Sequence, residues 1–424
     1  MTLRTAPFSG AEASPDVAPA DFGALRRQDP EVAEVILGEA ARQARTLQLI
    51  AAENVTSPAV LAALGSPLAN KYAEGYPGAR FHGGCELVDT VERIAVERAT
   101  ALFGAEHANV QPHSGSSAVL AAYAALLRPG DTVLAMGVPY GGHLTHGSPA
   151  NFSGRWFDFV AYGVDPLTGW IDYGRVRALA RRHRPAAVVC GSISYPRHLD
   201  YARFREIADE VGAVLIADTA HPMGLIAGGA APSPVPYADV VCATTHKVLR
   251  GPRGGMLLCG RELAERIDRA VFPFTQGGAQ MHTVAAKAVA FGEAATPAFA
   301  AYAHQVVANA RVLAAGLAAE GFSLVTGGTD THLIGADPTP LGVDGKEARG
   351  RLMAAGLVLD TCALPGAEGR GLRLGTAALT SQGMGEAEMA RIAVLFAQAL
   401  RRGSEAGVRA EVRELAGRFP PYPK

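Results

Sequence analysis

The chain has 424 residues, of which 49% are hydrophobic, so it is long enough to bury more than one sizeable core. Its 39 basic and 40 acidic residues give a formal charge of −1, which argues against nucleic acid or a membrane surface as a partner. The five cysteines are dispersed and include no CxxC pair, so we expect reduced thiols rather than a disulfide framework.

The first 64 residues predict a loose tail followed by a helical arm. The opening residues, up to about 20, are rich in Ala, Pro and Ser and contain no apolar stretch of the kind found in signal peptides. Residues 21–64 are polar with helical spacing, as expected of an arm that packs on the main body or on a partner chain. We therefore expect a cytoplasmic protein in which residues 1–64 form an N-terminal tail and arm.

Strands and helices alternate through the middle of the chain. Four short runs are almost entirely apolar and β-prone, at residues 131–136, 186–190, 213–218 and 238–244. Such runs are typical of parallel strands that are buried on both faces of a sheet. The segments 172–184 and 201–212 have the spacing of amphipathic helices, which predicts an α/β domain with crossover helices. We assign residues 65–305 to this large domain.

The character of the sequence changes after about residue 290. A long Ala-rich helix is predicted over residues 294–320, and short strand-like segments separated by helical pieces follow it. This pattern predicts a smaller α+β domain, which we assign to residues 306–424.

One run, residues 211–231, is apolar enough to suggest a membrane span. Its middle contains Asp218, His221 and Pro222, which are costly or disruptive within a bilayer. The run therefore predicts a buried strand followed by a turn, and no association with a membrane is expected.

A candidate phosphate site lies in HSGSSAVLAAYAALLRPGD, residues 113–131. Gly115 and Ser116 immediately precede a segment with one apolar stripe, so a helix is expected to begin there. Free backbone N–H groups and the positive end of the helix dipole would then point at one place, as a phosphate requires. Taken alone, a serine that merely caps the helix explains the same residues.

A second candidate is IADTAH, residues 216–221. Asp218 ends a predicted buried strand, where α/β sheets place their ligands, and His221 follows three residues later. A carboxylate there is costly unless it meets a cation or a donor, and a protonated heterocyclic nitrogen would meet that need. The alternative is an aspartate that caps a helix.

Two histidines with the spacing HxxH, His143 and His146, lie in PYGGHLTHG. The pair could form half of a metal site, but no third Cys, His or Asp lies nearby at metal-ligand spacing. We therefore predict no metal, and we interpret His143 as a histidine that stacks on a planar ligand.

The stretch CATTHKVLRGPRGG places Lys247 just after the last of the predicted strands. A lysine that is partly desolvated and close to other cations has a lowered pKa and becomes a usable nucleophile toward an aldehyde. The alternative is a strand that ends in a solvated basic turn. A phosphate cradle combined with Asp218, His143 and Lys247 describes the binding of one cofactor, pyridoxal 5′-phosphate.

The chain also resembles a known enzyme family. It is similar to the serine hydroxymethyltransferases, in the same order from about residue 45 to 400, through the motifs LIAAENVTSPAV, NKYAEGYPGARFHGGCE, NVQPHSGSSA, GGHLTHGSPANFSG, SPVPYADVV, TTHKVLRGPRGG and HQVVANA. The resemblance implies an α/β fold of the pyridoxal-phosphate transferase fold type I, with a mostly parallel seven-stranded sheet in the large domain. It also implies that a hydroxymethyl unit passes between a serine-type amino acid and tetrahydrofolate, in homodimers or homotetramers whose active sites are shared between chains.

The resemblance implies roles on the cofactor side of the site. Lys247 would bind the cofactor covalently, Asp218 would pair with its pyridine nitrogen and His143 would stack on its ring. The other cofactor-side residues are Ser114, Gly115 and Ser116 at the phosphate, His221 near the phenolic oxygen, Ser194 near the same oxygen, and Thr244 and His246 around the lysine.

On the substrate side, the resemblance implies that Glu74 handles the proton of the hydroxymethyl group or of the folate. Arg373 would hold the amino-acid carboxylate, a task that suits a planar bidentate guanidinium better than a lysine. The remaining implied residues are Tyr72, Gly277 and Gly278 from the neighbouring chain, Phe81 against the folate ring, and Ala52, His82 and Leu144 around the substrate.

The chain departs from the family pattern mainly on the substrate side. Ala52 replaces a serine, His82 replaces a tyrosine and Ile193 replaces a serine near the cofactor. The segment GAEGR, between LVLDTCALP and GLRLGT, is shorter than its counterpart in the family, so we expect folate binding to be altered.

These departures favour a specialised substrate. We expect the enzyme to interconvert α-methylserine with alanine, in its L or D form, using tetrahydrofolate. An ordinary serine enzyme, a folate-independent α-methylserine aldolase and a threonine-type transaldolase are the alternatives within the same chemistry. A catalytically inactive cofactor-binding protein and a metal-dependent hydrolase are alternatives from other classes, and the retained Lys247, Asp218, Glu74 and Arg373 argue against both.

Overall fold

The computed structural model describes residues 22–364, 370–401 and 405–422. Its strands are β1 Leu47–Gln48, β2 Gly75–Tyr76, β3 Ala79–Arg80, β4 His107–Asn109, β5 Thr132–Met136, β6 Asp158–Tyr162, β7 Ala187–Gly191, β8 Val214–Asp218, β9 Val240–Thr244, β10 Gly255–Cys259, β11 Ser323–Leu324, β12 Leu333–Asp337, β13 Leu357–Val358, β14 Asp360–Ala363 and β15 Arg370–Gly375. Its α-helices are α1 Phe22–Gln28, α2 Pro30–Gln43, α3 Pro58–Leu64, α4 Glu86–Phe103, α5 Gly115–Leu126, α6 Ser153–Trp156, α7 Tyr173–His183, α8 Tyr201–Val211, α9 Met223–Ala227, α10 Ala264–Arg269, α11 Met281–Ala294, α12 Pro297–Ala319, α13 Gly345–Ala354, α14 Ala377–Ser381, α15 Glu386–Leu400 and α16 Glu405–Arg418.

Seven strands form the main sheet, in the order β4-β10-β9-β8-β7-β5-β6. The strands β5 to β9 run parallel to one another, and β10 is antiparallel to both of its neighbours. The predicted α/β class with a mostly parallel, seven-stranded sheet is therefore confirmed. The apolar pattern predicts β5, β7, β8 and β9 but not the others, because β4 is short, β6 is half-exposed and β10 follows a glycine-rich segment.

Alternate residues of the central strands enter two different cores. In β5, Leu134 and Met136 enter a core shared with α4, α8 and α11, whereas Val133 and Ala135 enter a core shared with α5. This period of two is that of a strand covered on both faces. With both faces closed, a ligand can reach the sheet only at the ends of its strands.

A second sheet, of order β11-β12-β15-β14 and antiparallel throughout, lies in the C-terminal part of the chain. It has its own core, which α12 helps to form. Along α12, Tyr302 and Ala303 belong to the core of the large sheet, whereas Leu313 and Leu317 belong to the C-terminal core. The predicted boundary at residues 305/306 falls inside this helix, and the division into domains stays a prediction.

The helical arm contacts α11 of the large domain and the C-terminal core. Val60 of α3 packs on Ala286 and Ala290 of α11. After α2, β1 pairs in parallel with β13, and Leu47 is completely buried in the C-terminal core. The arm therefore links the large sheet to the C-terminal sheet. The loose tail predicted for the opening residues lies outside the described part of the chain.

Within the apolar run 211–231, β8 and the turn after it are as the sequence predicts, and the short helix α9, which the sequence does not predict, follows them. Within the described ranges, no helix is both long enough and apolar enough to cross a membrane.

Gly191, at the end of β7, allows a close approach that positions Asp218. A Cβ atom at residue 191 would lie 2.6 Å from the backbone oxygen and 2.7 Å from the Cβ of Asp218. We expect Gly191→Ala to lower the free energy of unfolding of the cofactor-free protein by about 1–3 kcal/mol, because this overpacking must displace backbone. Urea unfolding measures the effect.

The matched control is Gly350→Ala in α13, where a Cβ atom would meet nothing within 4 Å. It should raise the free energy of unfolding by about 0.5–1 kcal/mol, because alanine restricts the unfolded chain and favours a helix. Equal effects of the two substitutions would contradict the close approach at Asp218.

Candidate active site

A cavity of about 410 Å³ opens at the carboxyl ends of β8 and β9. The predicted site residues that line it are Ala52, Ser114, Gly115, Ser116, His143, Leu144, Asp218, His221, Thr244, His246, Lys247 and Arg373. Ile193 also lines it, together with residues to which the sequence patterns assign no role: Ile50, Glu53, Val119, Thr145, Ser192, Ala220, Ala243 and Arg253. Widely separated segments of the chain thus meet at the edge of the sheet where α/β proteins bind ligands.

Asp218, at the end of β8, carries a carboxylate with a donor on each oxygen. The Nε2–H of His146 donates to its Oδ2 over 2.9 Å, and the backbone N–H of Ala220 donates to its Oδ1 over 2.9 Å. Burial raises the pKa of Asp218, but the hydrogen bonds from these two donors outweigh it and lower the pKa to about 2. The carboxylate is therefore ionised at neutral pH and able to neutralise a protonated ring nitrogen.

The histidine behind Asp218 is the second one of the HxxH motif. His146 is 4% exposed, and the hydroxyl of the fully buried Tyr123 donates to its Nδ1 over 2.7 Å. Because a carboxylate can only accept, the Nε2 of His146 carries its proton. The second histidine of the HxxH motif therefore stabilises the buried carboxylate of Asp218. Among the described residues, no group of three His, Cys, Asp or Glu side chains is arranged to hold a metal.

Lys247 lies in the turn that follows β9. The side-chain amide of Asn54 donates to its backbone carbonyl over 2.9 Å and so anchors the turn. Burial, aided by Arg373 and Arg253 and opposed by Asp218, lowers the pKa of Lys247 to about 8. At pH 7.5 roughly a quarter of the amine is then neutral, against about one in a thousand for an ordinary lysine. Because the amine of Lys247 is desolvated, the alternative interpretation of the sequence, a strand that ends in a solvated basic turn, is excluded.

The start of α5 forms the candidate phosphate cradle. Ser114 caps the helix, because its hydroxyl accepts from a backbone N–H three residues on, while the N–H groups of Gly115 and Ser116 have no acceptor within the helix. A Cβ atom on Gly115 would lie 2.5 Å from Cγ2 of Thr244, and one on Gly255 would lie 2.2 Å from the oxygen of Ser114. Only glycines allow this close approach of the turn to β9 and β10.

The remaining histidines of the cavity are uncharged. Burial lowers the pKa of His143, whose Nδ1 is hydrogen-bonded to the hydroxyl of Thr145 at 2.6 Å, and it lowers the pKa of His246 to about 3. His221 is completely enclosed and stacks on His332 with ring centroids 5.5 Å apart. Burial lowers its pKa as well. Neutral planar rings of this kind are suited to lie against an aromatic cofactor.

Arg373, on β15, reaches the cavity from the C-terminal sheet. Its guanidinium donates to the carbonyl of Ile193 over 3.0 Å and to Oδ2 of Asp360 over 2.7 Å. Its Nε is buried, and no described residue accepts a hydrogen bond from it. Arg373 also lines the cavity, where a planar guanidinium suits a ligand that brings a carboxylate.

Ser194 does not line the cavity, although its neighbours do. The hydroxyl of Ser192 accepts from the backbone N–H of Ser194 over 3.1 Å and donates to the carbonyl of Gly141 over 2.7 Å. Ser192 and Ile193 face the cavity instead. The sequence resemblance had pointed to Ser194 because it is the serine next to the departure at Ile193.

The other predicted residues form a surface cluster that does not line this cavity, and they are Tyr72, Glu74, Phe81, His82, Gly277 and Gly278. The hydroxyl of Tyr72 donates to Oε1 of Glu74 over 3.3 Å, and its ring meets that of His82 at a centroid distance of 4.8 Å. A Cβ atom on Gly278 would lie 3.4 Å from the Tyr72 ring. Tyr72 is 57% exposed and Phe81 is 75% exposed. One chain therefore presents two separate groups of candidate residues.

The shortened segment GAEGR lies largely within residues 365–369, outside the described part of the chain. The expectation that it alters folate binding stays a prediction.

The cavity combines the features that pyridoxal phosphate requires. Its lysine is a nucleophile at neutral pH, its buried aspartate is ionised, and a capped helix start faces the same space. The residues present therefore fit this cofactor, and together with the parallel sheet they define a pyridoxal-phosphate-dependent enzyme of fold type I.

Comparison with known proteins gives the family. The family model for serine hydroxymethyltransferase matches residues 25–396. A serine hydroxymethyltransferase of Desulforapulum autotrophicum is 52% identical over 408 residues, which cover 95% of this chain and 98% of the relative. Another, of Koribacter versatilis, is 51% identical over 409 residues, which cover 94% of this chain and 96% of the relative. The chain belongs to the serine hydroxymethyltransferase family.

Enzymes of this family use pyridoxal phosphate to pass a hydroxymethyl unit between serine and tetrahydrofolate. The family resemblance, the enzyme class and the cofactors expected from the sequence are thereby confirmed.

The lowered pKa of Lys247 predicts how covalent cofactor uptake depends on pH. The rate at which cofactor-free protein develops the visible absorbance of lysine-bound pyridoxal phosphate should rise with pH to a plateau, with a midpoint near the pKa of about 8, because only the neutral amine is nucleophilic. Stopped-flow absorbance measures the rate.

Arg253→Gln is the companion variant, since this exposed arginine lowers the pKa of Lys247. It should move the midpoint to higher pH, and Lys247→Ala should show no such absorbance at any pH. A wild-type midpoint at the pKa of an ordinary lysine would contradict the burial of the amine.

Proposed function

We propose that this chain breaks and forms the Cα–Cβ bond of serine in a site assembled from the cavity of one chain and the surface cluster of a second. The observation that carries the proposal is the shared position of Lys247, Asp218 and Arg373 around one cavity. That space offers an amine for an aldehyde, an anion for a ring nitrogen and a donor for an α-carboxylate.

On the cofactor side, Lys247 supplies the amine and Asp218 supplies the anion that keeps the ring nitrogen protonated. His143 lies against the ring, and the N–H groups of Gly115 and Ser116 donate to the phosphate. Bound there, pyridoxal phosphate supplies an electron sink that stabilises negative charge at the Cα of an amino acid. The donors on both oxygens of Asp218 support this assignment, since they hold it ionised.

On the substrate side, Arg373 binds the α-carboxylate of the amino acid. Its contacts to Ile193 and Asp360 fix the guanidinium plane before a ligand arrives, which lowers the ordering cost of binding. The place of Arg373 in the cavity lining supports the assignment, since a guanidinium there can pair with a carboxylate.

Glu74 handles the proton of the hydroxymethyl group. The hydroxyl of Tyr72 donates to its Oε1, and Gly277 and Gly278 leave room for both side chains. A carboxylate held in this way can accept the proton of the substrate hydroxyl as the carbon–carbon bond breaks.

A single chain does not bring Glu74 and Lys247 to the same cavity, so we propose a homodimer, or a tetramer of such dimers. The surface cluster of one protomer would complete the cavity of its partner. The exposure of Tyr72, Phe81 and Phe274 supports this, because large aromatic side chains at these levels of exposure mark a surface made for contact.

Mixing two inactive variants tests the shared site. Lys247→Ala and Glu74→Gln should each lose nearly all activity alone, whereas heterodimers should regain one intact site, giving about a quarter of wild-type activity in an equal, fully exchanged mixture. Serine cleavage and native mass spectrometry on the same sample measure activity and heterodimer content.

Heterodimers without activity would contradict a site that is shared in this way. The control is the Lys247→Ala variant alone, unfolded and refolded in the same way as the mixture. It detects any activity that arises from the refolding itself.

The cavity wall at Ala52 favours a second candidate substrate. A methyl group stands there where the family carries a hydroxymethyl group, which leaves more room beside the substrate. α-Methylserine, with D-alanine as its partner, carries one methyl group more at Cα than serine does. The 51–52% identity to serine hydroxymethyltransferases supports serine itself.

The substrates can be separated with purified protein and pyridoxal phosphate. We expect L-serine with tetrahydrofolate to give glycine, and α-methyl-L-serine to give D-alanine, with chiral chromatography as the measurement. Ala52→Ser should lower kcat/KM for α-methylserine by about tenfold or more, as expected when a methyl group loses its space, while serine is little affected.

If only L-serine is converted, or if Ala52→Ser changes kcat/KM for both substrates equally, the specialised substrate is wrong. Release of formaldehyde without tetrahydrofolate would instead identify a folate-independent aldolase.

A cytoplasmic location completes the proposal. The five cysteines are free thiols, and four of them are buried, at positions Cys85, Cys190, Cys242 and Cys259. Free thiols of this kind are usual in a reducing compartment. Fractionation of the source cells, with detection of the intact chain, tests the location.

A further inference from the structure

Lys287, on α11, is a lysine enclosed in the protein and absent from the lining of the cavity. It is 1% exposed, and its ammonium donates to the backbone carbonyls of Val110 over 2.6 Å, Pro112 over 3.0 Å and Gly255 over 2.8 Å. An ammonium has three N–H groups, so each of its donors has a carbonyl partner. The side chain is therefore a three-way link between backbone segments.

The three carbonyls belong to the two segments that frame the cofactor site. Val110 and Pro112 lie just before the cradle that begins at Ser114. Gly255 begins β10 and ends the loop that starts at Lys247. The segments also meet directly, because the backbone N–H of Gly255 donates to the carbonyl of Pro112 over 3.0 Å. Lys287 thus holds the cradle segment against the lysine loop.

A purely packing role does not account for a lysine at this position. Removing an ammonium from water is costly, and burial lowers the pKa of Lys287 to about 7 although Glu92 raises it. A methionine would fill similar volume without that cost. Unlike methionine, lysine supplies three N–H donors at one point. These donors orient the three carbonyls next to the cradle.

We propose that Lys287 is a positioning residue for the phosphate of the cofactor. By fixing residues 110–112 against Gly255, it orients the turn so that the N–H groups of Gly115 and Ser116 point at one place. The inference rests on the proposed function, in which these two groups donate to the phosphate.

Pyridoxal, which has the same aldehyde and ring but no phosphate, isolates this role. Cofactor-free wild-type and Lys287→Met proteins are titrated with pyridoxal phosphate and with pyridoxal in phosphate-free buffer, and the visible absorbance of the lysine-bound ligand gives each affinity. We expect the variant to lose about tenfold or more in affinity for pyridoxal phosphate, as for lost charged hydrogen bonds, with pyridoxal affinity unchanged.

Gly254→Ala is a milder variant that leaves Lys287 in place. A Cβ atom there would lie 2.6 Å from Cε and 3.1 Å from Nζ of Lys287, so the end of the lysine must move. It should lower the affinity for pyridoxal phosphate but not for pyridoxal, and by less than Lys287→Met does. If the methionine variant does not fold, Gly254→Ala alone provides the test. Lys346→Met, at an exposed lysine on α13, is the control and should change neither affinity.

A uniform loss for both ligands, or no change for either, would show that Lys287 only supports the fold and would overturn the proposal. Urea unfolding of the cofactor-free variants measures that supporting role separately. If the wild-type protein itself binds both ligands equally well, the phosphate cradle is wrong, and the role of Lys287 falls with it. Loss of the visible absorbance in Lys247→Ala tests the covalent part of the proposed function independently.

Discussion

Asp218 buries a negative charge at the end of a central parallel strand, where ionisation is costly unless donors surround it. The protein supplies those donors from three places: the backbone at Ala220, the imidazole of His146 and, behind it, the hydroxyl of Tyr123. Because these groups come from separate elements, the anion exists only when the sheet and α5 are assembled. The ionised state of the site is thus a consequence of the completed fold.

The same cavity holds an acid with a pKa of about 2 and an amine with a pKa of about 8. Desolvation acts on both groups and disfavours charge in each. Hydrogen bonds to Asp218 outweigh it, whereas Lys247 is close to the cations Arg253 and Arg373 and becomes easier to deprotonate. Burial with different neighbours therefore produces, in one cavity, a carboxylate that stays ionised above about pH 2 and an amine whose neutral, nucleophilic fraction grows as the pH approaches about 8.

The sequence predicts Asp218 and Lys247 because each follows a locally recognisable apolar strand, and position at a strand end carries chemical meaning in this class of fold. It predicts less well where a role depends on a distant partner. The spacing of His146 suggests a metal ligand, and only the assembled sheet pairs it with Asp218. The residues around Asp360 and Lys287 in the sequence do not predict their hydrogen bonds. A single lysine in an apolar helix such as α11 does indicate a buried lysine with polar partners.

Arg373 is held from both sides before any substrate arrives, by the carbonyl of Ile193 in the large unit and by Asp360 in the C-terminal sheet. The carboxylate of Asp360 offsets the positive charge that a substrate carboxylate would otherwise meet. In the proposed role, this arginine would therefore act less through long-range attraction than through the fixed orientation of its guanidinium. In the proposed role, Arg373 would select an amino acid by where its carboxylate lies, and its hydrogen bonds to Ile193 and Asp360 would couple substrate binding to both sheets.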